Sequence, residues 1–134
     1  MNTMDDAGKL VLRLVLAIQL LFHGVSKLIG GVGLIEGLVA KAGLPAPLAY
    51  LAIIGEVVAP LLILIGLWTR PAAFIVVINM IFAVGLAHTG QVFTMSKSGG
   101  WALELQGFYL FTALAIALLG AGRHSLGGTA GKWN

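Results

Sequence analysis

A charged group within a long apolar stretch is costly unless it has a partner or a function. Five of the ionisable side chains in such stretches fall in the same half of the predicted helices. They are His23, Lys27, Glu56, His88 and Glu104. Histidine and carboxylate groups titrate readily when burial shifts their pKa values, so such a set could relay protons or hold a polar headgroup. The alternative is that they fasten helices together, at about 0.6 kcal/mol per hydrogen bond. Both interpretations stay open for His23 and Glu56, whereas Lys27 and Glu104 lie near the ends of their stretches, which favours fastening.

Three polar residues in the first apolar stretch are spaced to form one helical face. Gln19, His23 and Lys27 are four residues apart, which places them on the same side of a helix. We expect this side to face the other helices, so that Leu16 and Leu20 indicate the inner face of the helix less well than these polar residues do.

The depths of the ionisable groups predict one polar cluster. By the rise of a helix, Glu56 lies about 13 Å from the start of its stretch, and His23 lies about 9 Å from the same membrane face. Asn79 lies deeper and on the opposite side of its helix from His88, so only one of the two is expected to face inward. The candidate ligand-binding residues are Gln19, His23, Lys27, Glu56, Asn79, His88 and Glu104. No histidine pair has metal-ligand spacing, so no metal site is predicted, and no motif identifies a catalytic residue.

The elements that position these residues must be membrane helices. Of the 134 residues, 59% are hydrophobic and only 10% are charged, and the mean hydropathy is +1.01. A soluble domain has about a quarter of its residues charged. Four stretches have the roughly 20 apolar residues that cross a bilayer, at about 9–29, 47–68, 71–93 and 101–121. The sequence therefore predicts an all-α bundle of four transmembrane helices, which forms a single integral membrane domain over residues 1–134.

The link between the first two spans carries a helical pattern of its own. Leu34, Ile35, Leu38 and Val39 recur at helical spacing, with Glu36 away from them. This predicts a short amphipathic helix lying in the membrane interface. It is either an ordinary connection or a lid over the mouth of the bundle.

Charge and cysteine content narrow the function classes. With no cysteine, the chain alone can form no disulfide, thiolate metal site or thiol redox centre. The eight lysines and arginines are scattered singly beside apolar stretches, which predicts contacts with membrane lipids rather than with nucleic acid. Five of the eight fall on the side of the termini, which predicts cytoplasmic termini and an external 31–46 link. Asp5 and Asp6 make the beginning of the chain acidic, unlike a secretory signal, so we expect the first stretch to be retained.

Three segments taken together resemble the DoxX family of small bacterial membrane proteins. They are RLVLAIQLLFHGVSKL, GLPAPLAYLAIIGEVVAPLLILIGLWTRPAA and GFYLFTALAIALLGAGRHSLG. The residues that match the family patterns are Arg13, His23, Gly24, Lys27, Glu56, Pro60, Gly66, Thr69, Arg70, Gly120, Gly122, Ser125 and Leu126. The closing pattern departs at one position, where Gly127 replaces the family's aspartate.

The resemblance implies a multi-pass protein of the bacterial inner membrane. Relatives include a subunit of thiosulfate:quinone oxidoreductase and components of membrane oxidoreductase complexes. This suggests an oxidoreductase-associated subunit whose polar pocket of His23, Lys27, Glu56 and Glu104 holds a quinone or a lipid headgroup. Quinone is then the candidate cofactor, and oxidoreductase subunits are the candidate partners. The alternatives are a non-enzymatic membrane anchor or scaffold, and a small proton-coupled transporter acting as a homo-oligomer; whether the chain is itself an enzyme stays open.

Overall fold

The computed structural model describes residues 3–30, 33–45, 50–87, 95, 99–100, 103–129 and 131–134. All the regular elements in this part of the chain are helical. They are α1 (Thr3–Gly30), α2 (Gly33–Lys41), α3 (Leu51–Ile53), a π-helical turn (Ile54–Val58), α4 (Ala59–Ile65), α5 (Thr69–Ala87) and α6 (Glu104–Leu119). The all-α prediction is thereby confirmed for the residues described. Because α3, the π-helical turn and α4 follow one another without a break, they form one helical segment.

The helix ends follow local chemistry and differ by a few residues from the predicted spans. Helix α1 begins at Thr3 rather than near Lys9, with Asp5 and Asp6 in its first turn, where negative charge complements the helix dipole. Helix α4 ends at Gly66, which has φ of 75° and donates its N–H to the carbonyl of Leu62.

The helices differ in their fitness to cross a membrane. Within the ranges given above, Thr3–Ser26 is long and apolar enough by length and composition. The apolar segments Gly55–Ile65, Thr69–Gly85 and Glu104–Leu119 are shorter. Residues 88–94 and 101–102, which complete the third and fourth predicted spans, lie outside the described residues. The four-span arrangement therefore stays a prediction.

The interior is built mainly from small and branched side chains. Helix α1 packs on the π-helical turn, α4 and α6, and α5 packs on α4 and α6. The buried hydrophobic cluster includes Leu16, Ala17, Leu20, Ala59, Ile63, Ala72, Ala73, Val76, Val77, Met80, Tyr109, Ala113 and Ile116. Since alanine allows helix axes to approach closely, this composition suits tight helix packing.

The predicted inner face of α1 is wrong. Leu16 is 2% exposed and Leu20 1% exposed, whereas Gln19 and His23 are exposed. Leu16, Ala17, Leu20 and Gly24 recur every three or four positions and make the buried stripe. Close packing around Ala17 and Gly24 decides which side of α1 faces inward, so the spacing of the polar residues predicted the wrong side.

A helix does form in the first link. Helix α2 contacts α5, and Val39 is buried. Its position in the membrane interface stays a prediction.

The segment after α6 folds back over the ends of α4 and α5. Leu126 donates its N–H to Ile65 at 2.9 Å, and Gly127 donates to Gly66 at 3.0 Å. Arg70, at the start of α5, donates its backbone N–H to Trp133 at 3.0 Å. These bonds satisfy backbone groups that a helix end leaves unpaired.

Candidate functional site

The π-helical turn places Glu56 in the interior, between α1 and α5. Its side chain is only 6% exposed. On one side, a Cβ atom added at Gly24 would collide with the Glu56 carbonyl oxygen and lie 2.7 Å from its carbon. On the other side, a Cβ added at Gly55 would lie 2.5 Å from Cγ of Asn79. Because Gly24 and Gly55 have no side chain, α1 and α5 can pack closely against the turn. Such π-helical turns are frequent at functional sites.

Glu56, Tyr109 and His23 form one cluster contributed by three helical segments. Tyr109 of α6 is buried and lies within electrostatic reach of Glu56. The ring of His23 meets the ring of Tyr109 edge-on, with centroids 6.0 Å apart and an interplanar angle of 78°. This is a favourable aromatic geometry. We call these three residues the Glu56–Tyr109–His23 cluster.

A groove between α1 and α6 leads to this cluster. One cavity of about 250 Å³ is lined by Val15, Leu16, Gln19, Leu105, Phe108, Tyr109 and Thr112. A second cavity of about 430 Å³ shares Phe108 and Thr112 with it and adds Leu12, Glu104, Gly107, Phe111 and Ala115. We call the two together the α1–α6 groove. Because Tyr109 lines the groove, a ligand lying there can reach the polar cluster.

The structure brings four of the predicted site residues to this region. His23 and Glu56 belong to the cluster, and Gln19 and Glu104 line the groove. Asn79 is not part of it, because it packs behind the turn against Gly55 and lines a separate cavity of about 280 Å³. The side chain of Lys27 and the whole of His88 lie outside the described residues.

Tyr109 was not among the site residues predicted from the sequence. A tyrosine in the middle of an apolar helix is a usable signal, since its hydroxyl group needs a polar partner when buried. The sequence shows the tyrosine but not which distant acid approaches it.

Comparison with known proteins identifies the family of the chain. The DoxX family model matches residues 8–89 of the chain. The chain belongs to the DoxX family. Membership in this membrane family, together with the long apolar helix α1, makes it a membrane protein.

Two curated relatives cover most of this DoxX chain. An uncharacterized protein of Haemophilus influenzae is 30% identical over 118 residues, which is 86% of this chain and 84% of the relative. A Bacillus subtilis protein named "Putative oxidoreductase CatD" is 29% identical over 123 residues, 90% of this chain and 85% of the relative. No solved structure gives a significant match.

Arg13, the first residue of the DoxX patterns, is a buried clamp that the sequence analysis left out of the candidate site. It is 1% exposed. Its Nε donates to the carbonyl of Ile63 at 2.9 Å, and its Nη2 donates to Leu64 at 3.0 Å. Its Nη1 donates to Ala121 at 3.1 Å and to His124 at 2.8 Å. The guanidinium therefore joins α1, the end of α4 and the closing segment, where the helix dipole also favours positive charge.

The closing segment after α6 builds the same end of the molecule. Ser125 donates its hydroxyl to the carbonyl of Gly122 at 2.7 Å and accepts the N–H of Gly128 at 3.1 Å. Asp6 accepts the backbone N–H of Arg123 at 3.1 Å, and its other oxygen lies 3.8 Å from the Arg123 guanidinium. These hydrogen bonds hold the closing segment in place and join it to α1, at the end of the helices opposite the polar cluster.

Asn134 occupies the space next to Gly127. A Cβ added at Gly127 would lie 2.6 Å from Nδ2 of Asn134. The Asn134 Oδ1 accepts hydrogen bonds from the backbone N–H and the hydroxyl of Thr69, at 3.2 and 3.0 Å. A neighbouring amide thus supplies a side-chain oxygen at the start of α5.

Proposed function

We propose that this chain is the membrane subunit of an oxidoreductase system and that it binds the headgroup of a quinone at the Glu56–Tyr109–His23 cluster. The observation that carries the proposal is a buried carboxylate on the π-helical turn together with a buried phenol on α6 that lines the α1–α6 groove. Buried ionisable groups in a membrane protein indicate a functional site by default. The similarity to a Bacillus subtilis protein named as an oxidoreductase supports the reaction class.

The residue types suit the chemistry of a quinone. Its carbonyl oxygens accept hydrogen bonds, which the hydroxyl of Tyr109, a ring N–H of His23 and the amide of Gln19 can donate. Reduction of a quinone to a quinol takes two electrons and two protons. The partner oxidoreductase would supply the electrons, while His23 and Glu56 can hold and release protons close to the headgroup.

We also propose how the chain lies in the membrane. The four apolar segments each cross the bacterial inner membrane. Both termini lie in the cytoplasm, on the side with more lysines and arginines. The Arg13 clamp is then near the cytoplasmic face, and the polar cluster lies in the opposite half of the bilayer.

Ligand retention tests the proposal. The protein is extracted gently, and the small molecules it keeps are identified by mass spectrometry. Quinone binding is then compared between Tyr109→Phe and Tyr50→Phe, since Tyr50 is the other tyrosine of the chain and lies exposed on the surface. We expect Tyr109→Phe to bind quinone more weakly and Tyr50→Phe to bind like the parent.

The same experiment identifies the other functions. A retained phospholipid that Glu56→Gln loses, without any quinone, would assign the cluster to a lipid headgroup. An empty cluster in a protein that co-purifies stoichiometrically with a soluble oxidoreductase would assign the chain an anchoring function. Either result overturns the quinone proposal.

A further inference from the structure

The α1–α6 groove continues along both helices, away from the polar cluster. A third cavity, of about 530 Å³, shares Leu12 with the groove and is also lined by Met4, Asp5, Gly8, Lys9 and Leu119. From Gln19 to Met4 the helix rises about 22 Å at 1.5 Å per residue. The surface therefore offers a continuous furrow that covers much of the thickness of a bilayer core, which is about 30 Å.

The chemistry of the furrow changes along its length. Its end at the cluster carries Gln19, Tyr109 and Thr112. Its middle section is formed by Leu12, Phe111 and Ala115, and Phe111 is 64% exposed. The small side chain of Ala115 leaves depth beside this ring. The far end is lined by the charged residues Asp5 and Lys9. Between Tyr109 and Leu12, the furrow therefore fits a ligand with a polar head and a flexible apolar tail.

We propose that the furrow holds the tail of an isoprenoid quinone, with the headgroup at Tyr109 and the tail directed along α6 towards Leu119. This inference rests on the proposed quinone function and narrows its ligand to long-chain quinones. A phospholipid fits less well, because its charged headgroup belongs at the membrane surface beside Lys9, which would leave Gln19 and Tyr109 facing an acyl chain. Since lipid tails surround the helices anyway, the tail gains van der Waals contacts in the furrow rather than hydrophobic transfer.

A blocked furrow tests the inference. Ala115→Trp fills the middle section, and Ala83→Trp on α5 is the matched control, because Ala83 is also half-buried but lines no part of the furrow. Both variants are reconstituted in lipid nanodiscs with a long-chain isoprenoid quinone or with the same quinone without a tail. We expect Ala115→Trp to weaken binding of the long-chain quinone about tenfold through lost packing contacts. Its binding of the tail-less quinone should match the parent, which also shows that the variant is folded.

Photo-crosslinking locates the tail directly. A quinone with a diazirine in its tail should label peptides of α1 and α6 in the parent, and excess tail-less quinone should remove the label. Equal long-chain binding by Ala115→Trp and Ala83→Trp, with tail-less binding intact, would overturn the tail site and leave the quinone function standing. If phosphatidylglycerol removes the label and tail-less quinone does not, the furrow is a binding site for membrane lipid. If neither quinone binds the parent, both proposals fail.

Discussion

The backbone of α1 at Gly24 touches the carbonyl group of Glu56, so the acid is held by a contact in which a single methyl group would not fit. The glycine lies beside His23 in the chain, and the carbonyl belongs to the π-helical turn. The two elements that carry the histidine and the acid are therefore fixed to one another by their backbones.

Gly24→Ala should separate α1 from the π-helical turn. We expect a loss of about 1–3 kcal/mol in the free energy of unfolding, as for overpacked interiors, together with weaker quinone binding. Gly8→Ala is the control, because Gly8 is in the same helix with nothing within 4 Å of an added Cβ. It should be neutral or stabilising by up to about 1 kcal/mol. Thermal unfolding in detergent compares the two, and equal melting temperatures would contradict the tight contact.

A double-mutant cycle should detect the coupling between Glu56 and Tyr109. Glu56→Leu or Tyr109→Phe alone removes one of two buried polar groups that lie within electrostatic reach of each other. The double variant should be less destabilised than the sum of the single changes, by about 0.5–3 kcal/mol. The cycle is measured by chemical unfolding, with Tyr50→Phe in place of Tyr109→Phe as the uncoupled control. Additive effects at Tyr109 would show that the two groups do not interact.

Arg13→Lys should loosen the end of the molecule built by the closing segment. Lysine offers three donors from one atom and cannot reproduce the fork that reaches four carbonyl groups. We expect a loss of at least about 3 kcal/mol, since hydrogen bonds from charged donors contribute about 1.5–3 kcal/mol each. Arg123→Lys changes an arginine that is 61% exposed, and should cost less than about 1 kcal/mol.

Limited proteolysis gives the Arg13 prediction a second measurement. In Arg13→Lys the closing segment should be released, so trypsin should cut after Arg123 faster than in the parent. Unchanged cleavage together with an unchanged melting temperature would mean that the clamp is dispensable.

The orientation in the membrane can be tested with single cysteines, because the chain has none of its own. Thr3, Ala42 and Thr129 are exposed positions at opposite ends of the helices. With cytoplasmic termini, an impermeant maleimide added to intact cells should label Ala42→Cys and spare Thr3→Cys and Thr129→Cys. The reverse pattern would invert the proposed topology.

The sequence predicted the helices better than their faces. The runs of apolar residues predicted that the described part of the chain is helical, although α1 begins at Thr3 rather than near Lys9. The inner side of α1 could not be found in this way, because Gln19 and His23 gave the clearer periodic signal while Leu16 and Leu20 are the buried residues. Contact with α4 and α6 selects that side, and the sequence of α1 alone does not reveal this contact.

The candidate site was predicted in part for a similar reason. Glu56 and His23 stood out because ionisable groups are rare in apolar helices. Their meeting point at Tyr109 depends on how α1, α6 and the π-helical turn align, and that alignment comes from packing. The role of Arg13 was hidden because its four acceptors are backbone carbonyls, which no residue type reveals.

The four hydrogen bonds of Arg13 also constrain the order in which the protein can be assembled. Two of its acceptors, Ala121 and His124, are synthesised more than a hundred residues after the arginine itself. Until they arrive, the charged end of Arg13 must extend to water or to lipid phosphate, as long basic side chains do near a membrane surface. Insertion of α1 into the membrane and its final packing are therefore separate events, and the second must wait until residues 121–124 have been made.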